Sequence, residues 1–274
     1  MEAGYTGQGE ASSTSAIREP WLKHALQNEN ARRREEGRFR ISEIMNKPIP
    51  PGLRALATDY DGTLAHDGAV NEATLAALRK LKDAHFRLIL VTGRELHELK
   101  AIFPQLSWFD LAVMENGGVL YHPHIGEVEA LAAPPPSEFV ARLHELGLPL
   151  QVGKSIVATW EPHETVVLQT IKEMGLELQV IFNKGAVMIL PSGVNKATGL
   201  RAAAERLGLT PEQIAGVGDA ENDHAFLKIC GLSVAVANAL PAILKEVDFV
   251  TKADHGDGVT ELIGHLLNPT EAVS

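Results

Sequence analysis

Cysteine is almost absent from this sequence, since Cys230 is the only one among 274 residues. A single cysteine cannot form an intramolecular disulfide, and it cannot supply the several thiolates of a structural metal cluster. Chains without disulfides are typical of reducing compartments. We therefore expect a cytoplasmic protein that depends on its apolar core, for which a hydrophobic content of 45% is sufficient.

Long apolar runs and an excess of positive charge are also missing. No stretch approaches the roughly 20 apolar residues that cross a bilayer, and the first residues lack the basic-then-apolar pattern of a secretory signal. Lysine and arginine number 25 against 35 aspartate and glutamate residues, a net charge of −10 that would repel a nucleic-acid backbone. We therefore expect neither a membrane nor a nucleic-acid partner.

Changes in residue pattern divide the chain into three parts. Residues 1–50 form an N-terminal extension, partly disordered, whose charge-dense second half predicts either a solvated helix or an arm that contacts another protein. Residues 51–130 and 191–270 alternate strand and helix patterns, which predicts one α/β domain with a parallel sheet between helices. Residues 131–190 interrupt this alternation and are interpreted as a small inserted α+β domain.

Apolar periodicity gives approximate positions for the elements. Strands are predicted at residues 54–58, 87–92, 111–114, 119–122, 155–159, 177–182 and 186–190, with another that ends at 217. Helices are predicted at residues 71–85, 96–103, 137–146, 163–174, 196–207 and about 220–231.

Two carboxylates follow the first predicted strand. Asp59 and Asp61 stand two residues apart, and Gly62 allows the chain to turn tightly so that both can face one reacting group. This spacing fits a nucleophile and an acid. A carboxylate can accept a phosphoryl group if a cation neutralises the charge, and Mg²⁺ prefers such oxygen ligands.

Later strands and helices bring further polar residues to the same edge of the sheet. Thr92 and Gly93 follow the second strand, where a hydroxyl and free backbone N–H groups can bind phosphate. Lys196 begins a helix, where a cation is unfavourable unless an anion lies nearby. Asp219 and Asp223 follow another apolar strand and can complete a metal site.

In this order, the segments Asp59-Tyr60-Asp61-Gly62-Thr63 and Gly218-Asp219-Ala220-Glu221-Asn222-Asp223 resemble motifs of the haloacid dehalogenase superfamily. The resemblance covers residues 54–267 and implies a Rossmann-like three-layer core with Mg²⁺ as cofactor. It also implies that Asp59 is the nucleophile and a metal ligand, and that Asp61 is the general acid and base and binds the metal through its carbonyl. By the same resemblance, the phosphate would be bound by Thr92, Gly93, Lys196 and Asn222, and the metal site would be completed by Asp219 and Asp223.

The position of the insert resembles the Cof-type subgroup, subclass IIB, in which an α+β cap lies between the second and third motifs. Sucrose-phosphate phosphatases, phosphomannomutases and archaeal phosphoglycolate phosphatases share this layout. The cap here is short, which indicates a small phosphorylated metabolite, either a sugar phosphate or a compound like phosphoglycolate. Lys184, in a turn between two cap strands, is the preferred candidate for recognising the leaving group, with Arg94 and Asn116 as further candidates.

The resemblance implies a phosphatase that hydrolyses a phosphate monoester through an aspartyl-phosphate. Two alternatives remain open. A phosphomutase of the phosphomannomutase type would return the phosphoryl group to another hydroxyl instead of to water. A non-catalytic binding or regulatory module would use the N-terminal extension to contact a partner.

Overall fold

The computed structural model describes residues 47–268, so the predictions for residues 1–46 lie outside it. Its larger sheet has eight strands in the order β12-β11-β10-β1-β2-β3-β4-β5, and its smaller sheet has four in the order β6-β7-β9-β8. The strands are β1 Ala55–Asp59, β2 Arg87–Val91, β3 Leu111–Met114, β4 Val119–His122, β5 Glu127–Ala130, β6 Gln151–Val152, β7 Val157–Trp160, β8 Leu178–Asn183, β9 Ala186–Pro191, β10 Ile214–Gly218, β11 Leu232–Ala235 and β12 Phe249–Val250.

Eight α-helices accompany these strands in the described residues. They are α1 Glu72–Asp83, α2 Leu96–Ile102, α3 Ser137–Glu145, α4 Glu164–Glu173, α5 Lys196–Arg206, α6 His224–Leu227, α7 Pro241–Leu244 and α8 His255–Leu267. The predicted α/β fold is confirmed. In the described part of the chain, none of these helices is long and apolar enough to cross a membrane.

Strand β1 lies in the middle of the larger sheet, and all five of its residues are buried. It pairs in parallel with β2 on one side and with β10 on the other. An uninterrupted apolar run is typical of a strand covered on both faces. The chain winds outwards from β1 through β2 and β3, and later through β10, β11 and β12 on the other side. This reversal creates a crevice at the carboxyl end of β1, where open α/β sheets bind ligands.

The smaller sheet is antiparallel and packs against α3 and α4. Its helix-facing side chains form an apolar core of their own, which includes Phe139, Leu143 and Val167. A separate cluster of Ile156, Met188 and Leu190 lies apart from that core. The smaller sheet is therefore stabilised by its own buried residues.

The predicted helix at residues 220–231 is wrong in its length. A tight 3₁₀ turn spans Glu221–Asp223, and the α-helix that follows has only four residues, His224–Leu227. The side chain of Asp223 accepts hydrogen bonds from the backbone N–H groups of Asp219 and Ala220, which closes the turn locally. Four strands were not predicted, β5, β6, β11 and β12, and each has only two to four residues.

Candidate active site

Asp59 is the last residue of β1, and a buried lysine holds its side chain. Lys196 begins α5, and its side chain is only 1% exposed. Its Nζ lies 2.6 Å from Oδ1 of Asp59 and 2.5 Å from Oδ1 of Asp223. Asn195 caps the helix by accepting hydrogen bonds from the backbone N–H groups of Ala197 and Thr198. The anionic neighbours predicted for Lys196 are therefore carboxylates of the chain itself.

Burial and charge act in opposite directions on this cluster. Burial raises the pKa of Asp59 well above its usual range, and the charge of Asp223 raises it further, while Lys196 opposes both. Burial alone would lower the pKa of Lys196, but Asp223 and Asp59 outweigh it and raise that pKa above the usual value. The ammonium group of Lys196 is therefore held in its charged form between two acids.

Asp219 and Asp223 complete a group of three buried carboxylates. One ligand oxygen from each of Asp59, Asp219 and Asp223 lies within 4.8 Å of the other two. Asp219 Oδ1 accepts a hydrogen bond from Thr63 Oγ1 at 2.8 Å, which fixes its orientation. Burial raises the pKa of Asp219, and Asp223 adds to the effect. Such a group is stable in its ionised form only beside compensating positive charge.

The carboxylate oxygens of Asp59, Asp219 and Asp223 are suitable ligands for a hard divalent cation. Mg²⁺ binds carboxylate and carbonyl oxygens and keeps several waters. The side-chain oxygen of Asn222 is buried without a hydrogen-bond partner in the described residues, so it can accept from a water of such an ion. The carbonyl oxygen of Asp61 also faces this place, because Lys184 Nζ lies 3.2 Å from it and 2.7 Å from Asp219 Oδ2.

The side chain of Asp61 has a different partner from the other acids. Arg94 binds it with two hydrogen bonds, from Nε at 2.7 Å and from the terminal nitrogen at 2.8 Å. This bond to Asp61 is the main reason that the pKa of Arg94 is raised. The Asp61 carboxylate is partly exposed and lies outside the group of three buried acids.

The predicted phosphate-binding residues adjoin this crevice. Thr92 is buried, and its Oγ1 accepts a hydrogen bond from the backbone N–H of Arg94 at 3.1 Å. Its carbonyl accepts from the backbone N–H of Asn116 at 3.0 Å. Asn222 Nδ2 donates to Asn116 Oδ1 at 3.0 Å. Thr92, Asn116 and Asn222 therefore form one hydrogen-bonded chain along the edge of the sheet.

Lys184 connects the smaller sheet to these acids. It lies in the turn between β8 and β9, in a left-handed backbone conformation with φ of 49°. Burial alone would lower its pKa, but the ion pair with Asp219 outweighs this and raises it. Asp59, Asp219 and Asp223 therefore face two ammonium groups, those of Lys184 and Lys196.

Comparisons with known proteins agree with this geometry. A profile of the haloacid dehalogenase-like hydrolase family matches residues 56–156 and 163–263. A phosphoglycolate phosphatase of Methanothermobacter thermautotrophicus is 32% identical over 223 residues, which are 77% of this chain and 97% of that protein. A phosphoglycolate phosphatase of Archaeoglobus fulgidus is 30% identical over 219 residues, covering 78% and 96%.

The chain belongs to the haloacid dehalogenase-like hydrolases.

Solved structures show the same fold for this hydrolase. A HAD/Cof-like hydrolase of Plasmodium vivax superimposes with a TM-score of 0.69 at 19% identity, over 79% of this chain and 96% of its own. A sugar phosphatase of HAD subclass IIB gives 0.66 at 19% identity, over 78% and 98%. The predicted superfamily and its Cof-type subgroup are confirmed, and the chain is an enzyme.

Several residues that shape the site of this hydrolase were not predicted from its sequence. Asn238 Nδ2 donates to the carbonyl of Gly62 at 2.8 Å, and Nδ1 of His255 lies 2.8 Å from the same oxygen. The backbone N–H of His255 donates to Asn238 Oδ1 at 2.7 Å. These two residues hold the turn that follows Asp61 from positions 176 and 193 residues away, so the pattern of neighbouring residues does not predict their contact with it. Glu115 was not among the predicted site residues either, yet it is buried and its carboxylate accepts hydrogen bonds from backbone N–H groups just before β7.

Proposed function

We propose that this hydrolase is a Mg²⁺-dependent phosphatase that acts on a small phosphate monoester through an aspartyl-phosphate on Asp59. The observation that carries the proposal is the buried arrangement of Asp59, Asp219 and Asp223 around the ammonium group of Lys196. This arrangement offers a carboxylate nucleophile, a set of oxygen ligands and a fixed cation at the end of one strand. Family membership and the names of the relatives support the same reaction class.

The first chemical step would transfer the phosphoryl group to Asp59. An oxygen of Asp59 attacks phosphorus, the bond to the leaving oxygen breaks, and Asp61 gives its proton to that oxygen. Lys196, with the hydroxyl of Thr92 and the backbone N–H of Gly93, would hold the equatorial phosphate oxygens. Mg²⁺, when bound by Asp59, Asp219, Asp223 and the Asp61 carbonyl, would supply the positive charge that lets two anions approach.

The second step would restore Asp59. A water molecule attacks phosphorus, Asp61 takes its proton, and the bond between phosphorus and Asp59 breaks to release inorganic phosphate. Because Asp61 must carry a proton in the first step, its ion pair with Arg94 has to loosen when the substrate binds. Arg94 would then be free to meet an anionic group of the substrate.

Residues 131–190 would act as a cap over a core made of residues 51–130 and 191–270. Lys184 places an ammonium group of this cap against the core, so its position changes with any opening or closing of the two parts. Closure would exclude water while Asp59 is phosphorylated, and opening would release the products. Lys184 and Asn116 would then contact the leaving group.

A leaving group that carries a carboxylate could pair with the two cationic side chains at the edge of the crevice, Lys184 and Arg94. Lys184 and Arg94 both pair with aspartates of the site and can exchange them for a substrate anion. The relatives at 30–32% identity are named phosphoglycolate phosphatases, and phosphoglycolate has such a carboxylate. We therefore propose that the substrate is a phosphorylated hydroxy acid about the size of phosphoglycolate, and we prefer it to a sugar phosphate.

The test is release of inorganic phosphate from an aryl phosphate and from phosphoglycolate, with Mg²⁺ or with a chelator. Asp59→Asn should abolish turnover and the acid-stable trapping of phosphate on the protein, because an amide cannot attack phosphorus. Asp83→Asn, at an exposed aspartate at the end of α1, is the control and should keep wild-type activity. Turnover by Asp59→Asn close to the wild-type rate would refute the nucleophile, and transfer of phosphate to a second hydroxyl without its release would indicate a mutase.

A further inference from the structure

Glu115 adopts a backbone conformation that its residue type rarely takes. Its φ is 50°, and that of Asn116 is 52°, so two consecutive residues without glycine's freedom are left-handed. Asparagine tolerates this region because its short side chain can bond locally, but glutamate has no such advantage. Strained residues of this kind persist where the surrounding structure requires a particular side chain. The contacts of the Glu115 carboxylate give that requirement.

The Glu115 carboxylate is bound entirely by backbone N–H groups from the insert. It is 3% exposed. Its Oε1 accepts from the N–H of Lys154 at 3.0 Å, and its Oε2 accepts from those of Ser155 at 2.7 Å and Ile156 at 3.2 Å. Among the described residues, no lysine or arginine forms an ion pair with it. A buried carboxylate with three N–H donors is stabilised by them and holds them in turn.

Gly153 leaves room for the Glu115 carboxylate, and the side chain of Ser155 adds a further contact with the same loop. A Cβ atom on Gly153 would lie 2.6 Å from Oε2 of Glu115, so only glycine permits the approach. The hydroxyl of Ser155 lies 3.0 Å from the carbonyl oxygen of Gly118, in the same turn as Glu115. Four hydrogen bonds therefore attach residues 154–156 to the loop that follows β3.

The same loop also touches the candidate phosphate site and the smaller sheet. Asn116 bonds to the Thr92 carbonyl and accepts from Asn222, and its Nδ2 lies 2.9 Å from Sδ of Met188 in β9. Residue 156 directly precedes β7, which pairs with β9, and β9 begins just after the turn that holds Lys184. A shift at residues 153–156 would therefore be transmitted along β7 and β9 to Lys184.

We propose that Glu115 is a positioning residue for this phosphatase, which fixes residues 153–156 on the core and thereby sets where Lys184 stands against Asp219. The proposal rests on the proposed function and adds a fixed attachment point between the cap and the core. Glu115 does not touch the reacting atoms and acts through β7 and β9 of the smaller sheet.

The first experiment measures amide hydrogen exchange of residues 153–156 in the full chain, without substrate. Glu115→Gln keeps the shape but replaces one acceptor oxygen by a donor, so exchange at residues 154–156 should become about 10- to 100-fold faster. Glu98→Gln is the control, because Glu98 accepts a different bond across the same boundary, from Gln151 Nε2 at 2.8 Å. Exchange at residues 154–156 should be unchanged in the control.

The second experiment asks whether Glu115 acts through Lys184. With phosphoglycolate as substrate, Lys184→Met should raise KM about 10-fold or more in the wild type, but less than about 3-fold in Glu115→Gln, because neighbours that act as one unit are not additive. The value of kcat should change less than KM. A merely structural role would lower the folded fraction and leave the KM of the folded enzyme and its response to Lys184→Met as in the wild type.

The outcomes separate this proposal from the proposed function. Absence of Mg²⁺-dependent phosphate release by the wild type overturns the proposed function. The role of Glu115 alone is overturned if the wild type releases phosphate but amide exchange at residues 154–156 is unchanged in Glu115→Gln. It is also overturned if the effects of Glu115→Gln and Lys184→Met on KM simply multiply. If Glu115→Gln does not fold, Glu115→Asp replaces it, because aspartate keeps the charge but is shorter by one methylene. The same measurements of amide exchange and KM then decide.

Discussion

Lys196 is a lysine without access to solvent, and its two carboxylate partners explain how it remains charged. A buried ion pair contributes little net stability, because desolvation of the charges offsets their attraction. Removal of one member is different, since the remaining charges stay buried without compensation. At this site, loss of Lys196 would leave the buried carboxylates of Asp59 and Asp223 facing each other without the cation between them.

We therefore expect Lys196→Met to lose turnover and to lower the free energy of unfolding by about 3–5 kcal/mol in the presence of a chelator. Chemical denaturation at pH 7 measures the loss. Lys172→Met, at an exposed lysine in the last turn of α4, is the matched control and should stay within about 0.5 kcal/mol of the wild type. Equal stability of the two variants would contradict the electrostatic account of Lys196.

At the scale of elements, the turn at residues 115–117 fits between β3 and the start of α5. Gly117 has φ of 101°, and the carbonyl of Asn195, the cap of α5, occupies the space where a side chain would stand. Glycine is therefore required here for two reasons. The backbone is left-handed, and a Cβ atom would collide with the Asn195 carbonyl. Because α5 begins with Lys196, the fit of this turn also places the site lysine.

Gly117→Ala should cost about 3 kcal/mol or more, because alanine is strained at this φ and also pushes α5 away. Gly126→Ala is the matched control, since Gly126 has φ of 74° but nothing within 4 Å of its added Cβ. That variant should cost only about 1 kcal/mol. Thermal denaturation compares the two, and an equal cost would mean that the contact with α5 does not matter.

The outer strand β12 has only two residues, and Asp248 attaches it to β11. Its side chain accepts from the backbone N–H and the hydroxyl of Ser233 at 3.0 and 2.7 Å, and it pairs with Lys47 at 2.5 Å. Burial alone would raise the pKa of Asp248, but the bonds from Lys47 and Ser233 outweigh it and lower that pKa. A carboxylate with a lowered pKa stabilises the fold only while it is ionised.

Asp248→Asn should therefore lower the free energy of unfolding by about 1–2 kcal/mol at pH 7. The contribution is complete above the pKa of the unfolded chain, near 4, and is lost as the pH falls through the lower pKa of the folded state. Denaturation at pH 7 and near pH 3 should thus show a difference that shrinks on acidification. A difference independent of pH would contradict the role of the charge.

At the scale of the whole molecule, two apolar cores lie beneath the two sheets, and polar contacts join them near the crevice. The main core lies on one face of the larger sheet, against α1 and α8, while the smaller sheet has its own cluster around Phe139. Lys184 with Asp219, Gln151 with Glu98 and the donors to Glu115 connect the two parts. The partly exposed bonds of Lys184 and Gln151 can exchange with water and substrate, whereas the buried bonds to Glu115 hold residues 154–156 in place.

Binding of Mg²⁺ should stabilise the whole fold, because three buried carboxylates then lose their mutual repulsion. At a concentration 100-fold above its dissociation constant, the ion should add about 2.7 kcal/mol, and a chelator should remove it. Thermal denaturation over a range of Mg²⁺ concentrations measures this. Asp219→Asn should abolish the response and Asp83→Asn should retain it, whereas an equal response of both variants would place the ion elsewhere.

Residue patterns along the chain were enough to predict the central strands and to nominate the candidate site residues. Buried parallel strands appear as continuous apolar runs, so β1, β2, β3 and β10 were predictable, as was the edge of the sheet where Asp59, Thr92 and Asp219 meet. The short outer strands were not predictable. Two to four residues carry too little periodicity, and their pairing depends on neighbours distant in the chain.

The pairing of the charged side chains could not be predicted and is visible only in the folded chain. Arg94 with Asp61, Lys184 with Asp219 and Glu115 with the N–H groups of residues 154–156 each join segments more than 30 residues apart. Their energies depend on distances of a few tenths of an ångström and on the exclusion of water, which no local pattern encodes. The residue types at the site follow from sequence, whereas the partners of each charge follow from packing.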